Sequence, residues 1–259
     1  MITPVRTTDG ASGADASRVR IGSGHAPPRD VDRPSERELK FLVPEPRAAF
    51  VGAWLRSVCA ADAAYPPARV VTVYFDTAGL DLLDEKVNSD YLKTKVRVRW
   101  YEKLDGSPAG ETLFVEAKLR VGSTRQKLRR RAGVQASDVA RWALMAAGWP
   151  TLLDPLRLDG IDLPHDLLPV MRLSYVRERL TDRVSGGRLT FDSRMRVEAV
   201  NPQRMRPGLT GPIPGAVAEY KGRAAELPVH LRPLVASGGR KTSFSKYLAG
   251  YLQVTQGRL

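Results

Sequence analysis

The sequence predicts an α+β fold in which a mainly antiparallel β-sheet carries charged side chains on one face. Stretches that alternate like strands outnumber helical stretches. Several of these strands place two or more charges on the same face, and apolar helical segments lie between and after them, where they can cover the other face. A sheet that is covered on its apolar side and charged on the other can close into a barrel whose interior holds a ligand.

Residues 1–34 form the first segment and are predicted to be a disordered tail. They are rich in Gly, Ser, Ala, Asp and Pro and contain few large apolar side chains, so they cannot offset the entropy cost of ordering. The remaining residues, 35–259, are predicted to form one folded domain. The chain has 259 residues, of which 42% are hydrophobic, and this is enough to build a substantial core.

The first element of the domain is a predicted strand at 36–43. Its apolar residues point to one side, and its other side carries two carboxylates and an ammonium, those of Glu36, Glu38 and Lys40. Residues 44–62 then have apolar side chains at helical spacing and predict an amphipathic helix.

Six further stretches alternate like strands, and two more segments have a helical pattern. The strands are predicted at 69–77, 91–102, 111–121, 169–184, 187–197 and 216–223. The sequence SGG at 185–187 joins two of them as a hairpin. The helices are predicted at 136–149 and within 242–252.

The charged faces indicate an anionic ligand. Strand 91–102 places four cations on one face, those of Lys93, Lys95, Arg97 and Arg99. Charged residues also share a face in the other strands, among them Glu116 with Lys118, Tyr175 with Arg177, Arg188 with Asp192, and Glu219 with Lys221. Like charges in such an array repel unless something negative lies across them. An unpaired buried cation is costly, so we expect a wet interior neutralised by a bound anion such as a phosphate chain.

The composition of the chain indicates which classes of ligand and which cellular location are expected. The formal net charge is +13, from 41 basic and 28 acidic side chains, and it favours a polyanion. The basic cluster at 127–131 lacks the interleaved aromatic residues of a single-strand binding platform, so no nucleic acid is expected. The single Cys59 excludes an internal disulfide. The sequence has no apolar run of about 20 residues and no signal-peptide pattern, and a cytoplasmic location is expected.

Eight short motifs occur in an order that resembles a known family. They are ERELK, VYFDT, KVRVRWYE, FVEAKLR, SYVRERL, RLTFDS, AEYK and SFSKY. In this order the sequence resembles the VTC domain, the polyphosphate polymerase domain of vacuolar transporter chaperones, within the CYTH-like triphosphate tunnel metalloenzymes. The resemblance covers residues 36 to about 252. It implies a closed, mainly antiparallel eight-stranded β tunnel with helices packed outside.

The resemblance, together with the alignment of charges, also implies site residues. Six are expected to act on the transferred phosphate: Lys40, Arg97, Arg99, Lys118, Arg177 and Arg188. Six more are expected to bind phosphate: Lys95, Lys127, Tyr175, Lys221, Ser245 and Lys246. Three carboxylates are expected to hold Mn²⁺ or Mg²⁺: Glu36, Glu38 and Glu219. The chain departs from the eukaryotic polymerase pattern at Ser243, where that pattern has a lysine, and Lys241 or Arg240 are candidates to replace it.

The implied activity is transfer of the γ-phosphate of ATP to a growing polyphosphate chain. Two alternatives stay open at this point: a metal-dependent triphosphatase acting on tripolyphosphate or nucleoside triphosphates, and a polyphosphate-binding module without turnover. The expected ligands are ATP or another triphosphate and polyphosphate. A membrane-protein partner encoded by another chain is also compatible with the resemblance.

Overall fold

The computed structural model describes four stretches of the chain: 37–88, 91–122, 124–205 and 210–257. The predicted tail at 1–34 and the predicted metal ligand Glu36 lie outside the described residues. None of the described helices is long and apolar enough to cross a membrane.

The structure contains eleven strands and six α-helices among the described residues. The strands are β1 (Arg37–Val43), β2 (Cys59–Ala61), β3 (Ala68–Asp76), β4 (Leu92–Glu102), β5 (Thr112–Val121), β6 (Thr124–Gln135), β7 (Leu168–Asp182), β8 (Arg188–Val200), β9 (Gly211–Pro212), β10 (Ala216–Gly222) and β11 (Arg240–Lys241). The helices are α1 (Glu45–Val58), α2 (Asp81–Val87), α3 (Ala136–Ala140), α4 (Asp154–Leu158), α5 (Pro233–Ala236) and α6 (Lys246–Val254).

All strands belong to one antiparallel sheet, and this sheet is open. The order is β11-β1-β10-β8-β7-β3-β4-β5-β6, with β2 added beside β7 and β9 beside β8. No pairing joins β6 to β11 among the described residues, so the predicted closed eight-stranded tunnel is wrong in closure and in strand number. The three strands beyond the predicted eight are the short strands β2, β9 and β11. The two edges resist pairing because β11 consists of two cations and β6 is strongly basic.

The apolar side of the sheet is covered by helices, as the sequence predicts. Val51 and Leu55 of α1 are buried against Leu39 and Phe41 of β1. A second cluster packs α3, α4 and the turns between them onto β3, β4 and β5, with Trp100 and Trp149 completely enclosed. Large apolar side chains on this side provide much of the favourable free energy of folding. A third apolar cluster, which includes Tyr74, Met171 and Tyr247, lies on the opposite, concave face next to the polar residues of that face.

One predicted helix is longer than the observed one, and four observed strands, β2, β6, β9 and β11, had no predicted counterpart. The helix predicted at 136–149 ends at Ala140, and a series of turns continues the chain to a 3₁₀ helix at Pro150–Leu153. Gly148 lies so close to the ring of Trp142 that a Cβ there would clash, and such an approach is incompatible with a regular helix. The long strand β6 was not predicted, because the three consecutive arginines in its sequence TRQKLRRRAGVQ obscure the alternation of the strand.

Candidate functional site

The concave face of the sheet encloses a central cavity of about 190 Å³. Its lining is polar, because the inward-facing residues of β1, β4, β5, β6, β7 and β10 are those that alternate with the apolar residues of the core. The cavity is lined by Glu38, Lys40, Tyr74, Lys95, Arg97, Arg99, Lys118, Lys127, Tyr175, Arg177, Val217, Glu219, Lys221, Phe244, Ser245 and Lys246.

Glu116 lies directly opposite Arg97, on the face of the sheet that lines the cavity, and neutralises several cations of the cavity. Its side chain is 3% exposed, and its Oε2 accepts a 2.7 Å hydrogen bond from Nε of Arg97. Further charged nitrogens of Arg99, Lys127 and Arg129 lie 3.2–3.8 Å from the same carboxylate. Burial alone would raise the pKa of Glu116, but Arg97 and Arg99 outweigh it and lower the pKa to about 2. Glu116 therefore stays ionised and holds the arginines in place.

A second buried carboxylate, Asp192, fixes two more cations at the cavity wall. Arg177 donates to both carboxylate oxygens, from Nε and Nη2, at 2.6 Å each, and Lys246 Nζ donates at 2.6 Å. Burial opposes the charged form, but Arg177 and Lys246 outweigh it and lower the pKa of Asp192. The bidentate contact sets the plane of the Arg177 guanidinium. This geometry presents an oriented cation to a ligand without the ordering cost of a mobile side chain.

On strands β1 and β10, four residues form what we call the paired quartet: Glu38, Lys40, Glu219 and Lys221. Lys40 Nζ lies 2.6 Å from Glu38 and 3.5 Å from Glu219, and Lys221 Nζ lies 3.5 Å from Glu38 and 3.1 Å from Glu219. Each carboxylate thus contacts two ammonium groups. Burial alone would lower the pKa of Lys40, but Glu219 and Glu38 outweigh it and raise the pKa. The pKa of Glu38, which burial would raise, is lowered to about 2, chiefly by Lys40.

On the neighbouring strands β4, β5 and β6, three lysines form what we call the lysine row. Lys95 lies opposite Lys118, and Lys118 lies opposite Lys127, in consecutive strand pairs. Burial and the charges of Arg97 and Lys118 lower the pKa of Lys95 to about 7. Lys118 and Lys127 keep much of their surface open to solvent, and partial desolvation also lowers the pKa of both. The lysine row is therefore a cluster that places like charges opposite one another, with Glu116 3.8 Å from Lys127.

The segment leading into α6 closes one side of the cavity and is anchored through Asp76. The buried carboxylate of Asp76 accepts hydrogen bonds from the backbone N–H groups of Leu82 and Leu83 at the start of α2, and from the hydroxyl of Tyr247 at 2.8 Å. Tyr247 is thereby fixed, and it directly follows Lys246. Ser245 caps α6 and accepts a 3.0 Å hydrogen bond from Lys95 Nζ.

The structure brings together most of the predicted site residues. Thirteen of the fifteen line the central cavity. Arg188 does not line it: the residue is exposed at the start of β8, opposite Lys221 and Thr181. Glu36 lies outside the described residues. The candidate replacements at the Ser243 departure differ in position, because Lys241 lines an adjoining cavity with Ser243 whereas Arg240 does not.

Charge counting indicates what this cavity binds. Among the described residues, nine cations line it against the two carboxylates of the paired quartet, and Glu116 and Asp192 each contact lining cations. Five positive charges therefore remain in excess when every lysine is protonated. An adjoining cavity of about 490 Å³ extends this positive region with Lys86, Lys93, Arg120 and Lys241. A multiply charged, narrow anion such as a chain of phosphates would neutralise the excess.

The residues present fit a hard divalent ion that takes some of its ligands from the protein and the others from substrate phosphates. Among the described residues no three acidic, histidine or cysteine side chains converge on one point. Glu38 and Glu219 nevertheless lie on adjacent strands and share both of their lysine partners. Mg²⁺ and Mn²⁺ typically bind through one or two carboxylates together with substrate phosphates and water. Phosphate groups would also draw Lys40 and Lys221 away and expose the carboxylate oxygens.

Two functional groups were missed or incompletely assigned from the sequence. Asp192 had been placed on a charged face, but its clamp on Arg177 and Lys246 was not foreseen, because it depends on the α6 segment folding back onto β8. Arg129 was missed because β6 was not predicted. Alternation could have identified Asp192, since it shares a strand face with Thr190 and Arg188.

Comparison with known proteins finds one family and several distant structures. Residues 35–149 match the VTC domain. The chain matches no curated protein sequence. A solved structure of a candidate adenylyl cyclase from Hippeastrum with a dominant triphosphatase activity is 18% identical, covering 87% of this chain and 98% of its own, with a TM-score of 0.49. A Pyrococcus horikoshii protein is 13% identical, covering 85% of this chain and 99% of its own, with a TM-score of 0.48. A candidate adenylate cyclase from Bacillus halodurans is 15% identical, covering 81% of this chain and 93% of its own, with a TM-score of 0.47.

Proposed function

We propose, on the premise that residues 35–149 match the VTC domain, that this protein transfers the γ-phosphate of ATP or another triphosphate to a polyphosphate chain. The observation that carries the proposal is the excess of five positive charges around the central cavity, with two carboxylates at its edge. A triphosphate carries about four negative charges at neutral pH, so a bound chain offsets most of this excess.

Phosphoryl transfer mainly requires that the nucleophile be positioned in line with the leaving group and that the negative charge of the phosphates be neutralised. A terminal oxygen of the chain attacks the γ-phosphorus, the bond from that phosphorus to the β–γ bridging oxygen breaks, and ADP leaves with this oxygen. Arg97 and Arg177, each held by a buried carboxylate, offer fixed N–H donors to the non-bridging oxygens. Lys40, Lys118 and Lys246 add positive charge around the same phosphates.

Glu38 and Glu219 would hold the divalent metal ion. When bound, Mg²⁺ or Mn²⁺ supplies charge neutralisation at the phosphate oxygens. The same pair of carboxylates favours a second candidate function, hydrolysis of a triphosphate. Glu38 belongs to the ERELK motif, and the two alternating glutamates of this motif resemble those of hydrolytic triphosphate tunnel enzymes. In that reaction water takes the place of the chain terminus as the nucleophile.

Product analysis distinguishes these reactions. The protein is incubated with ATP and Mn²⁺, and ADP, free phosphate and long-chain polyphosphate are resolved for wild type, Glu219→Gln and Glu38→Gln. A polymerase makes ADP and polyphosphate in step, and Glu219→Gln abolishes both products. Glu38→Gln should suppress free phosphate while sparing chain growth if Glu38 serves an attacking water. The matched control is Glu178→Gln, which removes a carboxylate paired with exposed Arg56 outside the cavity.

The possible outcomes separate the proposals cleanly. Free phosphate without polyphosphate identifies a triphosphatase and contradicts the polymerase. Binding of ATP without any product identifies a binding module. A cytoplasmic location, a membrane-protein partner and the absence of nucleic-acid binding remain predictions from the sequence.

A further inference from the structure

A second cavity, which we call the aromatic cavity, lies next to the central cavity along three strands. It has a volume of about 540 Å³, and its lining includes Tyr65, Tyr101, Phe114, Arg129 and Arg179. On β4, β6 and β7, its residues Tyr101, Arg129 and Arg179 are each two positions beyond a residue of the central cavity. Two residues of a strand span roughly 6.6 Å, so the two cavities are neighbours on the same face of the sheet.

The aromatic cavity differs in chemistry from the positive region at the other end of β4. Its two arginines lie against rings: the Arg129 guanidinium is 3.6 Å from the centre of Phe114, and Arg179 is 4.8 Å from Tyr65 and 5.4 Å from Tyr101. Both guanidinium groups also reach the Tyr101 hydroxyl within 3.5 Å. The adjoining cavity at the opposite end contains Lys86, Lys93, Arg120 and Lys241 and suits a polyanion.

A flat, weakly charged ring system matches the aromatic cavity better than a phosphate chain does. Aromatic rings and guanidinium planes stack on nucleobases, and arginine N–H groups and a tyrosine hydroxyl can bond to base edges. The volume lies within the usual range for small-molecule sites. Tyr65 is 57% exposed, so one of its faces is accessible to an incoming ring.

We propose that the aromatic cavity binds the nucleobase of a nucleoside triphosphate whose phosphates occupy the central cavity. This inference rests on the proposed function, since it requires the phosphates to bind beside Arg99, Lys127 and Arg177, the residues of the central cavity nearest to the aromatic one. The donor nucleotide then enters at the aromatic end of β4. The growing chain extends toward the lysine-rich end.

Calorimetric titrations with ATP and with tripolyphosphate test the inference on the full-length protein. The variant Tyr65→Ala should weaken ATP binding about tenfold, through loss of stacking, and leave tripolyphosphate binding unchanged. Tyr65→Phe keeps the ring and should restore ATP binding. Tyr91→Ala is the control, because Tyr91 is a 74% exposed tyrosine that lies at the opposite end of β4. Tyr101→Leu provides a second variant inside the cavity with the same expected selectivity.

Comparing the two ligands separates failure of this inference from failure of the proposed function. If Tyr65→Ala and Tyr101→Leu weaken both ligands equally, or weaken neither, the nucleobase site is overturned while the phosphate site stands. If ATP binds in a Tyr65-dependent way but tripolyphosphate does not bind, the nucleobase site stands and the proposed phosphate site fails. If neither ligand binds wild type, both proposals fail.

Discussion

Lys40 and Lys95 line the same cavity, yet their surroundings move their pKa values in opposite directions. Lys40 belongs to the paired quartet, where Glu38 and Glu219 outweigh the effect of burial and raise its pKa. Lys95 belongs to the lysine row, where burial, Arg97 and Lys118 lower its pKa to about 7. Two walls with similar numbers of ammonium groups therefore have different charge balance, and one is neutral by itself while the other is not.

This difference indicates that the two walls have different roles, with the paired quartet suited to a metal ion and the lysine row suited to phosphate. The paired quartet already contains the carboxylates that a metal ion needs, and its charges balance in the absence of ligand. In the lysine row, Glu116 lies 3.8 Å from Lys127, and burial lowers the pKa of all three lysines. A bound phosphate chain would supply the missing negative charge to the lysine row and would release the quartet's carboxylates for the metal.

The largest loss of stability is expected when Glu116 is replaced, because this carboxylate neutralises the arginines as Glu38 and Glu219 neutralise the lysines of the paired quartet. Glu116→Gln leaves Arg97, Arg99 and Arg129 without their shared anion, and we expect the free energy of unfolding to fall by about 3–5 kcal/mol. Urea denaturation measures this loss. Tripolyphosphate should restore part of it, because the ligand binds only the folded state.

The matched control for this variant is Glu178→Gln. Glu178 pairs with exposed Arg56 outside the cavity, so its replacement should cost less than about 1 kcal/mol. Equal losses in the two variants would show that Glu116 does not neutralise the arginines in solution.

The second prediction is that replacing Lys40 lowers the stability of the fold, whereas replacing Lys95 raises it. Lys40→Met leaves Glu38 and Glu219 short of a partner and should lower the free energy of unfolding by about 1–3 kcal/mol. Lys95→Met removes a cation from among other cations and should raise the stability at pH 6, where Lys95 is protonated. Both variants should weaken tripolyphosphate binding. Thermal melts at pH 6 check the signs, and two losses of equal size would refute the contrast between the walls.

The third prediction concerns pH and follows from the lowered pKa of Lys95. The pKa of Lys95 in the folded protein is about 7, whereas an unfolded lysine keeps its proton up to about pH 10.5. The unfolded state therefore holds more protons between these limits, and the contribution of Lys95 to stability rises with pH across this window. The cost of burying the charge of Lys95 is full below about pH 7 and disappears above about pH 10.5.

Ligand binding should show the opposite trend. A phosphate chain favours the protonated lysine, so tripolyphosphate should bind more weakly as the pH rises above about 7 and should take up protons when it binds. Calorimetry at pH 8 in two buffers of different ionisation enthalpy measures the uptake. Lys95→Met should reduce it, while Lys40→Arg should leave it unchanged because the pKa of Lys40 is raised. Unchanged uptake in Lys95→Met would contradict the assignment.

The smallest expected change is deletion of residues 1–34. Their composition predicts neither a packed face nor a regular element, so the melting temperature and the tripolyphosphate affinity should match those of the full chain. A large loss of either would show that the tail contributes to the fold or to the cavity.

Alternation along single strands was sufficient to predict much of the site. It placed Lys95, Arg97 and Arg99 on one face of β4 and Glu219 with Lys221 on β10, and all five line the cavity. A period of two residues determines which side chains share a face, and this information is local.

Contacts between distant strands could not be predicted in the same way. The sequence gives no sign that Glu116 lies close to Lys127 and Arg129, because that contact depends on a strand whose basic sequence hides its alternation. The closure of the sheet was also predicted wrongly, because closure depends on whether two edges attract or repel. The exposed position of Arg188 follows from where β8 begins, and strand ends are poorly marked in sequence.

The pairing of β1 with β10 determines when this site can exist during synthesis. Arg37 pairs with Gly222 and Lys40 with Glu219, so the first strand of the domain finds its partner only after nearly the whole domain has left the ribosome. The hairpin of β7 and β8 and the meander of β4, β5 and β6 contain nearer neighbours and can form first. The lysine row is therefore assembled early, while the paired quartet is completed last. A nascent chain would present an unbalanced cationic surface to cellular polyanions until β10 arrives.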